Sequence, residues 1–172
     1  RSSPGYRAGH HIVRARKDRL PAKKYFAKLA GSYLERSQRG IWGGIKSREL
    51  VAVLGALRPA VASGQELLDA GCGPGFYSRA VRAEFPELGL FGIDFSPEML
   101  AEYLSHGFEG ESASLFEFTG RSRRLFDHIL ILGVFEFVEN FENEISRLGR
   151  ICKPGTRILV LIPRLNLISL PY

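Results

Sequence analysis

The chain has 172 residues, 45% of them hydrophobic, with 24 Lys or Arg against 18 Asp or Glu and a formal charge of +6. That length suits one domain with a sizeable core, and the apolar fraction is ordinary for a globular protein. No apolar run approaches the roughly eighteen residues needed to span a bilayer as a helix, and the two cysteines, Cys72 and Cys152, lack metal-ligand spacing, so no metal site and reduced thiols in a cytoplasmic protein are expected.

Residues 1–22 read as a basic arm. Over residues 1–28 nine Lys or Arg stand against one acid, whereas the remainder carries fifteen basic and seventeen acidic side chains. Such an arm is either a solvated leader or a contact for nucleic acid, anionic lipid or an acidic substrate. The nucleic-acid reading is the weaker, because only Tyr6 interleaves with the charges before Tyr25. Residues 23–60 read as a helical cap. Phe26, Leu29, Ala30 and Tyr33 form a stripe, and Gly40, Gly43 and Gly44 around Trp42 are expected to break it. A second helix then sets Leu50, Val51, Leu54 and Leu57 on one face and ends at Pro59.

From residue 61 to 172 the pattern changes to short apolar strands alternating with helices. Glu66-Leu67-Leu68-Asp69-Ala70 reads as a strand with an acid near its end, followed by Gly71, Cys72, Gly73, Pro74 and Gly75. Tyr77, Ala80, Val81 and Phe85 then recur at helical spacing. A strand that runs through glycines into a helix brings bare backbone close to a ligand at the positive end of that helix. The dinucleotide pattern G-x-G-x-x-G requires a third glycine at position 76, where Phe76 stands. A carboxylate such as Asp69 at the mouth of the loop suits a ligand with a positive group there and repels a pyrophosphate. Cys72 in this loop reads as a small residue that fits rather than as a nucleophile, with no histidine near it in sequence.

The next strand, Phe91-Gly92-Ile93-Asp94, ends on an acid nineteen residues after Gly75, about where ribose hydroxyls are met in such folds. The alternative is that Asp94 is a turn residue. Ser96 caps the following helix, Pro97 takes its first position, Leu100, Tyr103 and Leu104 form its apolar face, and Gly107 stops it. Gly110-Glu111-Ser112-Ala113 is the region of a third strand. The runs after Phe126 and before Pro163 read as strands buried on both faces. Between them Asn140 caps a helix that carries Ile145 and Leu148 inward, and a Lys153-Pro154-Gly155 turn precedes the last strand.

In four ordered places between about Glu66 and Pro163 the chain resembles the class I S-adenosylmethionine-dependent methyltransferases. Leu68-Asp69-Ala70-Gly71-Cys72-Gly73-Pro74-Gly75 resembles their motif I. The resemblance implies a Rossmann-like, mostly parallel α/β sheet with flanking helices and an N-terminal helical cap. It also implies S-adenosyl-L-methionine as cofactor, with Asp69 setting the ammonium, Ala70, Gly71, Cys72, Gly73 and Gly75 lying along the methionyl part, and Asp94 holding the ribose. Phe95 and Met99 would pack on the adenine, Ser112 and Ala113 would stand at its amino group, and Leu132 and Gly133 would lie beside the methionyl group. Phe26, Ala30 and Tyr33 resemble a common cap pattern, so Tyr33 is either core or a neighbour of the cofactor, where an aromatic face suits a sulfonium.

Two departures stand out. Ser112 occupies a place where many relatives have Asp, and Glu136-Phe137 stands where some carry His. Glu136 is therefore a weak candidate base, set against a solvated loop acid. The reaction implied is in-line methyl transfer to a small-molecule acceptor at oxygen or carbon. The alternatives are an RNA or protein methyltransferase that uses the basic arm, and a non-catalytic binding module of the same fold. The chain opens on Arg1, as expected of a processed or partial polypeptide. The resemblance implies further C-terminal strands beside the fifth, so either a missing C-terminal segment or a second copy in a homodimer is expected to cover that apolar edge.

Overall fold

The computed structural model describes residues 24–28, 31–33, 35, 40–135 and 141–162, with backbone alone for residues 40–42 and 141. The basic arm, Leu29 and Ala30 of the aromatic stripe, the Trp42 side chain, Glu136, Asn140 and the segment after Ile162 lie outside the described residues. Five strands form one sheet: β1 (Glu66–Ala70), β2 (Gly89–Asp94), β3 (Glu109–Ser112), β4 (Phe126–Leu132) and β5 (Cys152–Leu161), in the order β3-β2-β1-β4-β5. Every pairing is parallel. Parallel neighbours need crossovers, and these are supplied by α2 (Phe76–Glu84), α3 (Pro97–Ser105), α4 (Leu115–Arg121) and α5 (Phe141–Leu148), while α1 (Gly40–Leu57) leads into β1. The α/β class and the parallel sheet expected from the sequence are what the structure contains.

Side chains alternate across the sheet, and each face collects its own core. Leu67 and Leu130 pack with Val53 and Leu57 of α1 and with Tyr77 and Val81 of α2. On the same face Leu100 and Tyr103 of α3 meet Cys72 and Phe108. The opposite face gathers Leu68, Ile93, Ile129 and Ile131 against Leu115 and Phe118 of α4 and Leu148 of α5. The helix boundaries follow local chemistry. Ser96 accepts from the Met99 amide at 3.4 Å with Pro97 opening α3, and Ser114 and Glu117 make a reciprocal capping box on α4.

Several details differ from the sequence reading, among them Leu104 of α3, expected on the apolar face and 41% exposed. The helix α1 starts at Gly40 and runs through Gly43 and Gly44 rather than being broken there, because tertiary packing overrides a glycine penalty of about 1 kcal/mol per residue. Val51 points outward at 70% exposure while Val53 is buried, so the inward stripe is Leu50, Val53, Leu54 and Leu57. On α5 it is Glu144 and Leu148, one turn apart, that are buried, and Ile145 is 39% exposed. The Lys153-Pro154-Gly155 turn lies inside β5 as a bulge: Phe126 pairs with Cys152, but His128 pairs with Arg157. Among the described residues β5 pairs with β4 alone, and Ile158, Val160 and Ile162 are exposed beside that edge. Among the described residues no helix is long and apolar enough to cross a membrane.

The inward face of α1 can be checked directly. Leu57→Ala removes a fully buried side chain and is expected to cost about 2–5 kcal/mol of unfolding free energy. Val51→Ala, on the exposed face, should stay within about 0.5 kcal/mol. Urea denaturation of both variants measures this, and equal losses would contradict the assigned face.

Candidate functional site

The strand order places β1 between β2 and β4, so the chain leaves the sheet in opposite directions on the two sides of β1. A crevice opens there, outside the carboxyl ends of the strands. The glycine loop, residues 71–75, occupies that position. Gly71 and Cys72 donate their amides to the Ile93 carbonyl at 2.8 and 3.0 Å, which ties the loop across to β2. Gly73 has φ +52, and a Cβ built there meets nothing within 4 Å, so the space above it is open to a ligand. Gly71, at φ +77, faces Val134, whose side chain occupies the place a Cβ would take.

Asp94 clasps this loop from the end of β2. Its Oδ2 accepts from the Gly73 amide at 2.9 Å and its Oδ1 from the Ser96 amide at 2.8 Å. The side chain is buried, and burial raises its pKa against the lowering effect of those two amides. Each oxygen retains a lone pair for a further donor. On the neighbouring strand Ser112 pairs in register with Asp94, and the Ala113 amide donates to the Asp94 carbonyl at 3.0 Å. Ser112 is exposed and Ala113 buried. Phe95 is half-buried with its ring 5.9 Å from Phe26 in an edge-on arrangement, so the N-terminal helical segment reaches this side of the crevice. Met99 is buried within α3. Leu132 ends β4 half-buried, and Gly133 donates its amide to the Leu161 carbonyl at 3.2 Å. Tyr33 is half-buried and near enough to Tyr77 to act on it electrostatically.

Asp69 sits lower than the sequence pattern implied. It is 1% exposed, and its Oδ2 accepts from the Ser78 hydroxyl at 2.6 Å. Ser78 in turn lies 3.3 Å from the Tyr103 hydroxyl. The Tyr103 ring stacks on Phe108 at 4.6 Å between centroids and lies against Gly92, where any Cβ would come within 2.5 Å of it. Asp69, Ser78 and Tyr103 therefore form a buried polar post under the glycine loop, and the carboxylate is covered rather than presented at the mouth. Cys72 is buried beside the Asp69 and Asp94 carboxylates; burial first, then those charges, push its thiol up and keep it protonated. The sequence reading placed Tyr103 on the apolar face of its helix and did not single out Ser78, because periodicity does not show that two hydroxyls meet.

Burial raises the Asp69 pKa from an ordinary 3.8 to about 6, with Ser78 opposing and Asp94 reinforcing the shift. The folded protein thus holds this proton more tightly than the unfolded chain. Stability from this group is fully present below about pH 4 and falls as pH rises toward 6. Asp69→Asn keeps an acceptor for Ser78 and removes the ionisation. Its stability relative to the parent should therefore improve by up to about 3 kcal/mol between pH 4 and pH 7. Urea midpoints of both proteins at the two pH values test this, and a constant difference would refute the shift.

Comparison with known proteins agrees with this geometry. A family model described as a methyltransferase domain matches residues 68–158. Trans-aconitate 2-methyltransferase of Methylobacterium nodulans is 29% identical over 108 residues, 62% of this chain and 41% of that protein, so the chain spans less than half of that relative's length. Two solved structures share the fold. Magnesium protoporphyrin IX methyltransferase from Synechocystis PCC 6803, with bound S-adenosylhomocysteine, superimposes with a TM-score of 0.64 at 18% identity, over 79% of this chain and 68% of that one. Phosphoethanolamine N-methyltransferase 2 of Haemonchus contortus, in complex with S-adenosyl-L-methionine, does so with a TM-score of 0.56 at 22% identity, over 78% and 35%. The matched segment starts on β1, carries the glycine loop and ends on β5, and it is more than half of the molecule: this chain belongs to the methyltransferase-domain family, of the class I, S-adenosylmethionine-dependent kind.

Proposed function

We propose that this chain forms the cofactor-binding core of an S-adenosylmethionine-dependent methyltransferase whose acceptor is a small molecule, methylated at oxygen or carbon. The observation that carries the reading is Asp94 gripping the Gly73 amide beneath open space. A carboxylate with a free lone pair on each oxygen matches a vicinal diol, which can donate two hydrogen bonds at once. The cofactor supplies an electrophilic methyl on a sulfonium. The chain's own contribution is alignment and exclusion of water. Asp94 holds the ribose, and Phe95, Met99, Ser112 and Ala113 border the adenine. Gly71, Gly73 and Gly75 admit the methionyl part, with Leu132 and Gly133 beside it. Tyr33 and Phe26 close the crevice from the cap. Trans-aconitate 2-methyltransferase and phosphoethanolamine N-methyltransferase 2 are both named for small acceptors, which supports that class.

Calorimetry should detect binding of S-adenosylhomocysteine and none of NAD. Asp94→Ala should weaken the former about ten- to a hundredfold, the loss expected when charge-assisted hydrogen bonds disappear. Gly73→Val should weaken it further, since the side chain enters the open space. An unchanged affinity in Asp94→Ala would remove this residue from the site.

Deleting residues 1–20 should leave that affinity intact, whereas deleting the segment that carries Phe26 and Tyr33 should reduce it. Loss of binding on the shorter deletion would show that the basic arm is more than a leader.

A further inference from the structure

Asp69 is buried beneath the glycine loop with its Oδ2 on the Ser78 hydroxyl, and the α-amino-acid end of the cofactor calls for further charged partners. That end carries an ammonium and a carboxylate on one carbon. A pair of side chains of matching signs stands next to the glycine loop. Tyr77 lies two residues past Gly75, in the first turn of α2. Its hydroxyl donates to Glu49 Oε2 at 2.5 Å and accepts from Lys46 Nζ at 2.9 Å. Lys46 and Glu49 are themselves 3.0 Å apart on α1.

Topology puts this cluster at the correct end of the sheet. The C-terminal end of α1 leads to the start of β1, so its first half, which holds Lys46 and Glu49, lies at the level where β1 finishes. Tyr77 reaches Lys46 and Glu49 of α1 from the first turn of α2, directly after the glycine loop. The Lys46 and Glu49 side chains are 22% and 21% exposed, sheltered yet open to a ligand. Both bonds that Glu49 receives here fall on Oε2, and Lys46 uses two of its three donors on Tyr77 and Glu49.

We propose that Lys46 and Glu49, held in place by Tyr77, form the subsite for the α-amino-acid end of the cofactor, the ammonium against Glu49 and the carboxylate against Lys46. The proposal rests on the S-adenosylmethionine reading above. The competing role is a strut joining α1 to α2, and a partly exposed ion pair of that kind contributes only about 0–1 kcal/mol. A strut supports every ligand equally, whereas an amino-acid subsite supports only ligands that carry the amino acid.

Two probes separate these roles: S-adenosylhomocysteine, and 5′-methylthioadenosine, which lacks the amino-acid end. Calorimetry on the full chain and on Lys46→Met and Glu49→Gln should show homocysteine-ligand affinity reduced about ten- to a hundredfold, as for lost charge-assisted bonds. Affinity for methylthioadenosine should change by less than about twofold, within the scatter expected for surface substitutions. Tyr77→Phe, which frees both partners, should act in the same direction with a smaller loss. Glu49→Gln is isosteric and carries the test by itself where Lys46→Met fails to fold. Equal losses for both probes, or none for either, overturn the subsite. Absence of both probes from the parent protein overturns the cofactor reading, and the subsite with it.

Discussion

The Gly73 amide and the Asp94 carboxylate, 2.9 Å apart, join the ends of two strands that the chain separates by a whole helix. The crevice depends on that bond. Beside it, the Gly71 and Cys72 amides bond the Ile93 carbonyl and the Cys72 side chain packs near Gly92. With it, a buried carboxylate sits against the amide of Gly73, above which there is open space. The Gly71 and Cys72 amides are thus spent on β2, and the Gly75 amide on the Cys72 carbonyl within the loop.

Support for the loop comes from below as well as from the side. Asp69, Ser78 and Tyr103 bring together the end of β1, the first turns of α2 and the body of α3. Burying a carboxylate costs free energy, and its raised pKa records that cost. The cost is tolerable because Ser78 donates at 2.6 Å and because the Tyr103 ring fills the space over Gly92. An apolar residue in place of Asp69 would leave the Ser78 and Tyr103 hydroxyls short of an acceptor. The same carboxylate therefore belongs to the architecture of the loop first.

The two faces of the sheet divide the labour. One face, under α4 and α5, is an apolar core of Leu68, Ile93, Ile129, Ile131 and Phe118 with aromatic packing around Phe91 and Phe126. The other face, under α1, α2 and α3, is apolar at depth and polar at the level of the loop, where the Lys46–Glu49–Tyr77 and Asp69–Ser78–Tyr103 groups lie side by side. Polar groups thus cluster where the strands end and the sheet no longer satisfies the backbone.

Much of this was legible in the amino-acid order. The unbroken run Ile129-Leu130-Ile131 is buried, as its apolar pattern implied for a parallel strand, whereas the run before Pro163, read the same way, leaves Ile158, Val160 and Ile162 exposed among the described residues. The glycine spacing, Asp94 after its strand, and the Ser96-Pro97 start of α3 are local signals, because turns and caps depend on residues a few positions apart. The burial of Asp69 was not local: Ser78 of α2 donates to it, and Tyr103 of α3 meets Ser78 in turn. Nor were the inward faces of α1 and α5, where Val53 and Glu144 are buried while Val51 and Ile145 are exposed, since neighbouring rows of apolar residues compete for one sheet. Lys46 and Glu49 pair at i,i+3 on α1, but their meeting with Tyr77 was a tertiary outcome, joining residues some thirty positions apart.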